Sequence, residues 1–316
     1  MTPLRLGTRG STLALTQSRQ VARAVEEASG ILVELEVITT RGDREQSRPL
    51  PEIGGKGLFT AELDRALLEG DVDFAVHSLK DLPTDQPTEL TLACVPERED
   101  PRDVLVGPTG GTIALDALPR GAVLGTSSLR RKALALAFRP DLDVRPVRGN
   151  LDTRLDKVDA GVYDALVLAA AGIRRLGREE RIGEWLERTA WLPAPGQGAL
   201  AVVARSRDDE TLRALEPLHD VASAAAVIAE RAVLAALEGG CQVPIGATAI
   251  PYGHGLRLWG LVASPDGKRV VRDDVTGDLD DPEALGLMLA DSLRTRGADD
   301  ILSELREAAV EDPRLT

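Results

Sequence analysis

Short apolar runs alternate with helix-length segments through the first half of the chain, and most runs end in a turn that opens the next helix. Ser11 to Ser29 places Leu15, Ser18, Val21, Ala22, Val25 and Ala28 on one helical face, with Gly30 as the stop. Val33, Leu35 and Val37 alternate with Glu34 and Glu36, the pattern of a half-buried strand. Leu58 to Glu69 reads as a second helix closed by Gly70, followed by strands Val72 to Val76 and Leu90 to Val95. This rhythm predicts a parallel sheet covered by helices.

A second series begins after the charged link Pro96 to Arg102. Strand Ala122 to Gly125 leads to helix Leu129 to Ala137, strand Leu142 to Val147 to helix Leu151 to Ala160, and strand Ala165 to Leu168 to more helix. Trp191 to Gly198 is too rich in Pro and Gly for an element interior and reads as a crossing linker, after which Ala199 to Ala204 is expected to return as a strand to the first sheet. From Asp220 one long Ala-rich helix runs to Leu237 and stops at Gly239-Gly240. Strands flanking Pro265-Asp266-Gly267 and two helices follow, an α+β pattern. Arg41 to Gly57 lacks an apolar period and is long for a connection, as lids and disordered segments are.

Composition narrows the function. With 38 Lys and Arg against 51 Asp and Glu the net charge is −13, and aromatics are 3%, which argues against a nucleic-acid footprint or a base-stacking platform. The longest fully apolar stretch, Ala165 to Ile173, falls far short of the ~18 residues of a membrane span. No apolar core separates Arg5, Arg9 and Arg19 as in a secretory signal, so a cytoplasmic protein is expected. Two cysteines and three histidines show neither a disulfide framework nor metal-ligand spacing. Chemistry must then come from a thiol, carboxylates, Arg and Lys.

Three strand-to-helix junctions concentrate basic and hydroxyl groups: Thr8-Arg9-Gly10-Ser11, Gly125-Thr126-Ser127-Ser128-Leu129-Arg130-Arg131, and Arg148-Gly149-Asn150 with Arg154 on the next helix. Helix N-termini with guanidiniums suit an anion, and the C-terminal edges of parallel strands are where ligands bind. The plainer alternative at the second junction is a Ser cap followed by two solvated arginines, and Ser11 taken alone reads as a plain cap. Lys80 and Asp81, in His77-Ser78-Leu79-Lys80-Asp81-Leu82-Pro83, are expected at the same edge, or else form a surface pair of negligible stability value. Cys94 lies in the apolar strand LTLACV and fits a small buried residue, whereas Cys241, in a Gly-flanked loop, fits that description poorly. Gly54-Gly55-Lys56-Gly57 is not a phosphate loop, because neither a preceding strand nor a following Ser or Thr is present.

These segments together resemble the porphobilinogen deaminase (hydroxymethylbilane synthase) family. The matching stretches are TRGS (8–11), TRGD (40–43), GGKGLF (54–59), HSLKDLP (77–83), EREDPRD (97–103), GTSSLRR (125–131), RGNLDTRL (148–155), PGQGAL (195–200) and GGCQVPIG (239–246), in family order. From about residue 250 the likeness is one of layout only. The resemblance implies an α/β fold of two similar periplasmic-binding-protein-like α/β domains around a cleft plus a small α+β C-terminal domain. Expected bounds are 1–98 with a return segment 199–217, 103–193, and 220–316 bearing the cysteine. It implies a transferase of tetrapyrrole (heme) biosynthesis that joins four porphobilinogens head to tail, releasing ammonia, on a dipyrromethane cofactor held by a thioether to Cys241.

Carried over by position, the resemblance implies that Asp81 is catalytic and that Lys80, Thr126, Ser127, Ser128, Arg130 and Arg131 contact the cofactor. Arg9, Ser11, Gln17, Arg148, Asn150, Arg154 and Arg175 would contact substrate and chain carboxylates, and Lys56 and Phe59 would belong to a lid. The expected partner is porphobilinogen, with no metal, nucleic acid or membrane, in a cytoplasmic monomer. Two rivals stand beside this reading. A non-enzymatic anion receptor shares the two-domain plan, and a cysteine hydrolase would need a His and an acid partner that none of the three His contexts suggests.

Overall fold

The computed structural model describes residues 2–44, 57–111, 113–237 and 243–311. The chain divides into two compact units, Met1–Glu99 with Gly198–Ala224, and Asp100–Gln197 with Ala225–Thr316.

The first unit is built on strands β1 (Leu4–Thr8), β2 (Val33–Val37), β3 (Phe74–Ser78), β4 (Leu90–Cys94) and β10 (Leu200–Arg205), ordered β2-β1-β3-β10-β4. Helix Thr12–Ser29 starts at Ser11, whose hydroxyl accepts from the Ala14 N–H, and ends at Gly30. It buries Gln17, Ser18, Val21, Ala22 and Val25, while Ala28 points to solvent and Leu15 is half-buried. Val21 and Val25 pack with Leu6, Phe74 and Val202 in one core.

The sheet corrects the parallel expectation. β1 pairs in parallel with β2 and β3, but β10 lies between β3 and β4 and runs antiparallel to both. A strand that arrives by a long return of the chain is not bound by the crossover that keeps successive βαβ strands parallel. The second helix is shorter than expected, Ala61–Glu69, because residues 57–60 form a turn in which Thr60 and Ala61 N–H groups both donate to Gly57 O. β3 likewise starts two residues late. The N–H groups of Asp71 and Val72 still close the helix on Ala66 O, and the ladder to β1 begins at Phe74.

The second unit repeats the plan with β5 (Asp103–Val106), β6 (Val123–Gly125), β7 (Asp143–Arg145), β8 (Ala165–Ala169) and β9 (Glu184–Trp185) in the order β7-β6-β8-β5-β9. β6 is parallel to β7 and β8, and β5 is antiparallel to β8 and β9. Each sheet therefore takes its antiparallel strand from the chain beside a crossing between units: β5 follows the one at 99–100 and β10 the one at 197–198. A three-stranded antiparallel sheet, β11 (Ile245–Tyr252), β12 (Gly255–Ala263) and β13 (Val270–Asp278), packs with helices Val221–Ala236, Pro282–Thr295 and Ala298–Glu311 around Val233, Leu258, Leu289 and Ile301. Leu261 and Ala263 of β12 also enter the core of the second sheet, beside Ala133, Leu134 and Leu192. Among the described residues no helix is long and apolar enough to cross a membrane.

Candidate functional site

In the first unit the parallel register Leu6↔Phe74 and Gly7↔Ala75 brings whatever follows β1 and β3 to one sheet edge. Arg9 and Ser11 follow β1. Ser78 closes β3 and is followed by the single 3-10 turn Leu79–Asp81, anchored by the fully buried Leu79, whose N–H donates to Ala199 O. That anchor leaves Lys80 half-buried and Asp81 exposed. Gln17 is buried and its amide donates to Ser78 Oγ at 3.2 Å, so the helix after β1 is tied to the end of β3.

Arg9 meets a carboxylate here. Its Nε and Nη2 donate to Asp43 Oδ1 at 3.2 and 2.5 Å, and its guanidinium carbon sits 4.2 Å above the Phe59 ring centroid. Asp43 also accepts from Thr40 N and Oγ1. Burial alone would raise this carboxyl's pKa, but hydrogen bonds from Arg9 and Thr40 hold it below the ordinary value. The stretch beginning at Arg41 is thus not wholly irregular, since Arg41–Arg44 is one helical turn. His77 is buried in β3. Desolvation, with the nearby Arg9 charge, lowers its pKa to about 4, so it is neutral at pH 7.

In the second unit the edge is made by the ends of β6, β7 and β8. Ser127 joins two junctions, its hydroxyl donating to Val147 O at 2.5 Å and accepting from Val147 N at 3.1 Å. Thr126 Oγ1 accepts from Ser128 N, and Ser128 caps helix Leu129–Phe138 through Arg131 N. Asn150 caps helix Leu151–Asp159 through Thr153 N at 2.9 Å. Arg154 Nε donates to Gly149 O, and Arg148 is half-buried with its pKa lowered by desolvation. Arg175 lies in the last turn of helix Ala170–Arg175, which follows β8. The three hydroxyls do serve as caps and ties, but the alternative of solvated arginines fails: Arg130 and Arg131 are 3% and 7% exposed. Both pair with Asp103, at 2.8 and 2.7 Å.

Asp103, Gln197 and Trp191, which meet in this network, are given no contact by the sequence alone, and Asp43 only a place in the lid-like stretch. A signal existed for the first. Asp103 opens DVLV, a strand buried at every position, and a charge in such a strand requires partners. Cys94 is buried in β4 and desolvation pushes its thiol up to about 12, which leaves it unreactive. Cys241, Lys56 and most of the expected lid lie outside the described residues; Phe59 is described and is seated against Gly42 and Arg9.

The family model described as "Porphobilinogen deaminase, dipyromethane cofactor binding domain" matches residues 4–213, and that described as "Porphobilinogen deaminase, C-terminal domain" matches residues 224–295. The chain is 51% identical over 301 residues to the porphobilinogen deaminase of Roseiflexus castenholzii, covering 95% of this chain and 98% of that one. It is 49% identical over 303 residues to that of Syntrophotalea carbinolica, covering 96% of each. Among solved structures it is similar to a periplasmic substrate-binding protein of an ABC transporter from Coxiella burnetii, at a TM-score of 0.44 and 15% identity over 69% of this chain and 92% of that one. By the span of the two family models and the identity to both relatives, the chain belongs to the porphobilinogen deaminase family, the transferases that polymerise porphobilinogen into hydroxymethylbilane in tetrapyrrole biosynthesis.

Proposed function

We propose that Asp81 acts on the reacting atoms of porphobilinogen and that Cys241 carries the dipyrromethane covalently. The observation that supports this most is the parallel register of β1 and β3, which gathers Arg9, Ser11, Gln17, Lys80 and Asp81 on one edge of the first sheet. Loss of ammonia from porphobilinogen leaves a cationic methylene-pyrrole. An exposed carboxylate on a turn pinned by Leu79 can accept from a pyrrole N–H, stabilise that cation and relay the proton lost from the ring carbon. Arg9 already holds a carboxylate, that of Asp43, so a substrate carboxylate is a chemically equivalent guest.

The donor set suits a polycarboxylate cofactor. Arg130 Nε is buried and lacks a partner among the described residues, and Arg131 lies beside it. The dipyrromethane, when bound, would supply the terminal pyrrole ring to which the first substrate is added, each later one joining the end of the growing chain. Lys80, Thr126, Ser127, Ser128, Arg130 and Arg131 would hold it, and Arg148, Asn150, Arg154 and Arg175 would bind carboxylates of the growing chain. Cys94, buried and unreactive, leaves Cys241 as the thiol for attachment. A net charge of −13 disfavours nucleic acid as a partner, so the carboxylates of cofactor and chain are to be met by locally concentrated Arg and Lys. We place the enzyme in the cytoplasm as a monomer, which sedimentation velocity would test.

Intact mass spectrometry should show two added pyrrole units, absent in Cys241→Ala; a fully active but unmodified wild type would refute the covalent reading. Asp81→Asn should carry the addition yet turn over at least ~100-fold more slowly. Turnover within a few-fold of wild type would remove Asp81 from the mechanism.

A further inference from the structure

We propose that Asp103 is a positioning residue for the cofactor site, an assignment that rests on the reading above: it fixes Arg130 and Arg131 in one orientation that leaves the Nε edge of Arg130 for a carboxylate of the dipyrromethane. The Asp103 side chain is fully buried and accepts five hydrogen bonds. Oδ1 receives Arg131 Nε at 3.1 Å, Arg131 Nη2 at 2.7 Å and Gln197 Nε2 at 2.7 Å. Oδ2 receives Arg130 Nη1 at 2.8 Å and Trp191 Nε1 at 3.0 Å. That is one more than the ~four lone-pair sites of a carboxylate, so Oδ1 is shared among three donors and no acceptor capacity is left.

The two guanidiniums are not used alike. Arg131 engages all three nitrogens, with Nη1 on Val167 O and Nη2 also on Gln197 Oε1. Arg130 Nη1 holds Leu192 O as well as Asp103, whereas its Nε–H is buried without a partner among the described residues. Two guanidiniums and one carboxylate leave an excess positive charge in a dry site, beside an orphaned donor. Both features call for an anion, and a guanidinium's Nε edge is one that a carboxylate can grip with two bonds. Without Asp103 the guanidiniums would repel each other and lose their common anchor.

Asp103→Asn keeps the shape and removes the charge. The share of purified chains carrying the two-pyrrole addition, read by intact mass, should fall about tenfold or more, as expected when a group is no longer held in place. Asp103→Glu, which keeps the charge, should recover part of it. Asp73→Asn is the comparison for lost stability alone: Asp73 pairs with Arg5 and Arg205 in the first unit and touches no proposed site group. It should lower the urea midpoint and load like wild type. A wild type without the addition removes the covalent reading and this assignment with it, whereas a loaded wild type beside an equally loaded Asp103→Asn overturns this assignment alone. Loading that falls in step with the urea midpoint in both Asp103→Asn and Asp73→Asn, or failure of both Asp103 variants to fold, would make Asp103 a structural residue and equally overturn it.

Discussion

His77 and Asp103 are both buried and titratable, and they give the protein two different acid responses. Below about pH 6.5 the unfolded chain takes up a proton at His77 that the folded chain refuses until about pH 4. Stability should therefore fall as pH drops through that window, by up to about 1.4 kcal/mol per pH unit. For Asp103, burial works to raise the pKa, but the charges of Arg130 and Arg131 outweigh it and hold the carboxyl well below the usual range. Its contribution is present above the ordinary carboxylate pKa and is lost only at lower pH. Urea unfolding at pH 7 and pH 5 should show a loss in wild type that His77→Leu largely removes. An undiminished loss in that variant would assign the slope to another group.

At the scale of elements, the junctions between strands and helices carry both the caps and the proposed contacts. Gly149 sits between Arg148 and the Asn150 cap at φ 112°, and a Cβ there would lie 2.7 Å from the Thr153 methyl. Gly161, just past the C-terminus of the same helix, has φ 72° and open space around it. Alanine at either position should cost about 1–3 kcal/mol of backbone strain. Only Gly149→Ala should also displace the first turn that carries Asn150 and Arg154, raising KM for porphobilinogen several-fold. Equal KM values in the two variants would separate this junction from substrate binding.

The whole molecule depends on its chain crossings. β10 is not an edge strand: it pairs with β3 through Ser78 and with β4 through Cys94, and it comes after the second sheet in the chain. A fragment of residues 1–99 would lack the central partner of two strands and expose apolar residues of both. That fragment should show no cooperative unfolding, and supplying residues 198–224 in trans should restore little, because the lost covalent link raises the entropy cost of closing the sheet. A sharp two-state transition for residues 1–99 by circular dichroism would show that the first sheet closes without its return strand.

The sequence by itself determined the local facts. Ser11 and Ser128 are caps, Gly30 and Gly70 are stops, and Cys94 is a small buried side chain, because each depends on backbone geometry or apolar pattern within a few residues. Motif order alone carried the family. The antiparallel strand in each sheet, the two-residue delay of β3 and the burial of Arg130 and Arg131 were decided by tertiary structure. Arg131 reads as a surface residue in GTSSLRR, and only the approach of Asp103 and Gln197, 28 and 66 positions away, makes its burial tolerable. Propensity and periodicity are local, whereas the desolvation of a charge is compensated only by groups that the fold brings together.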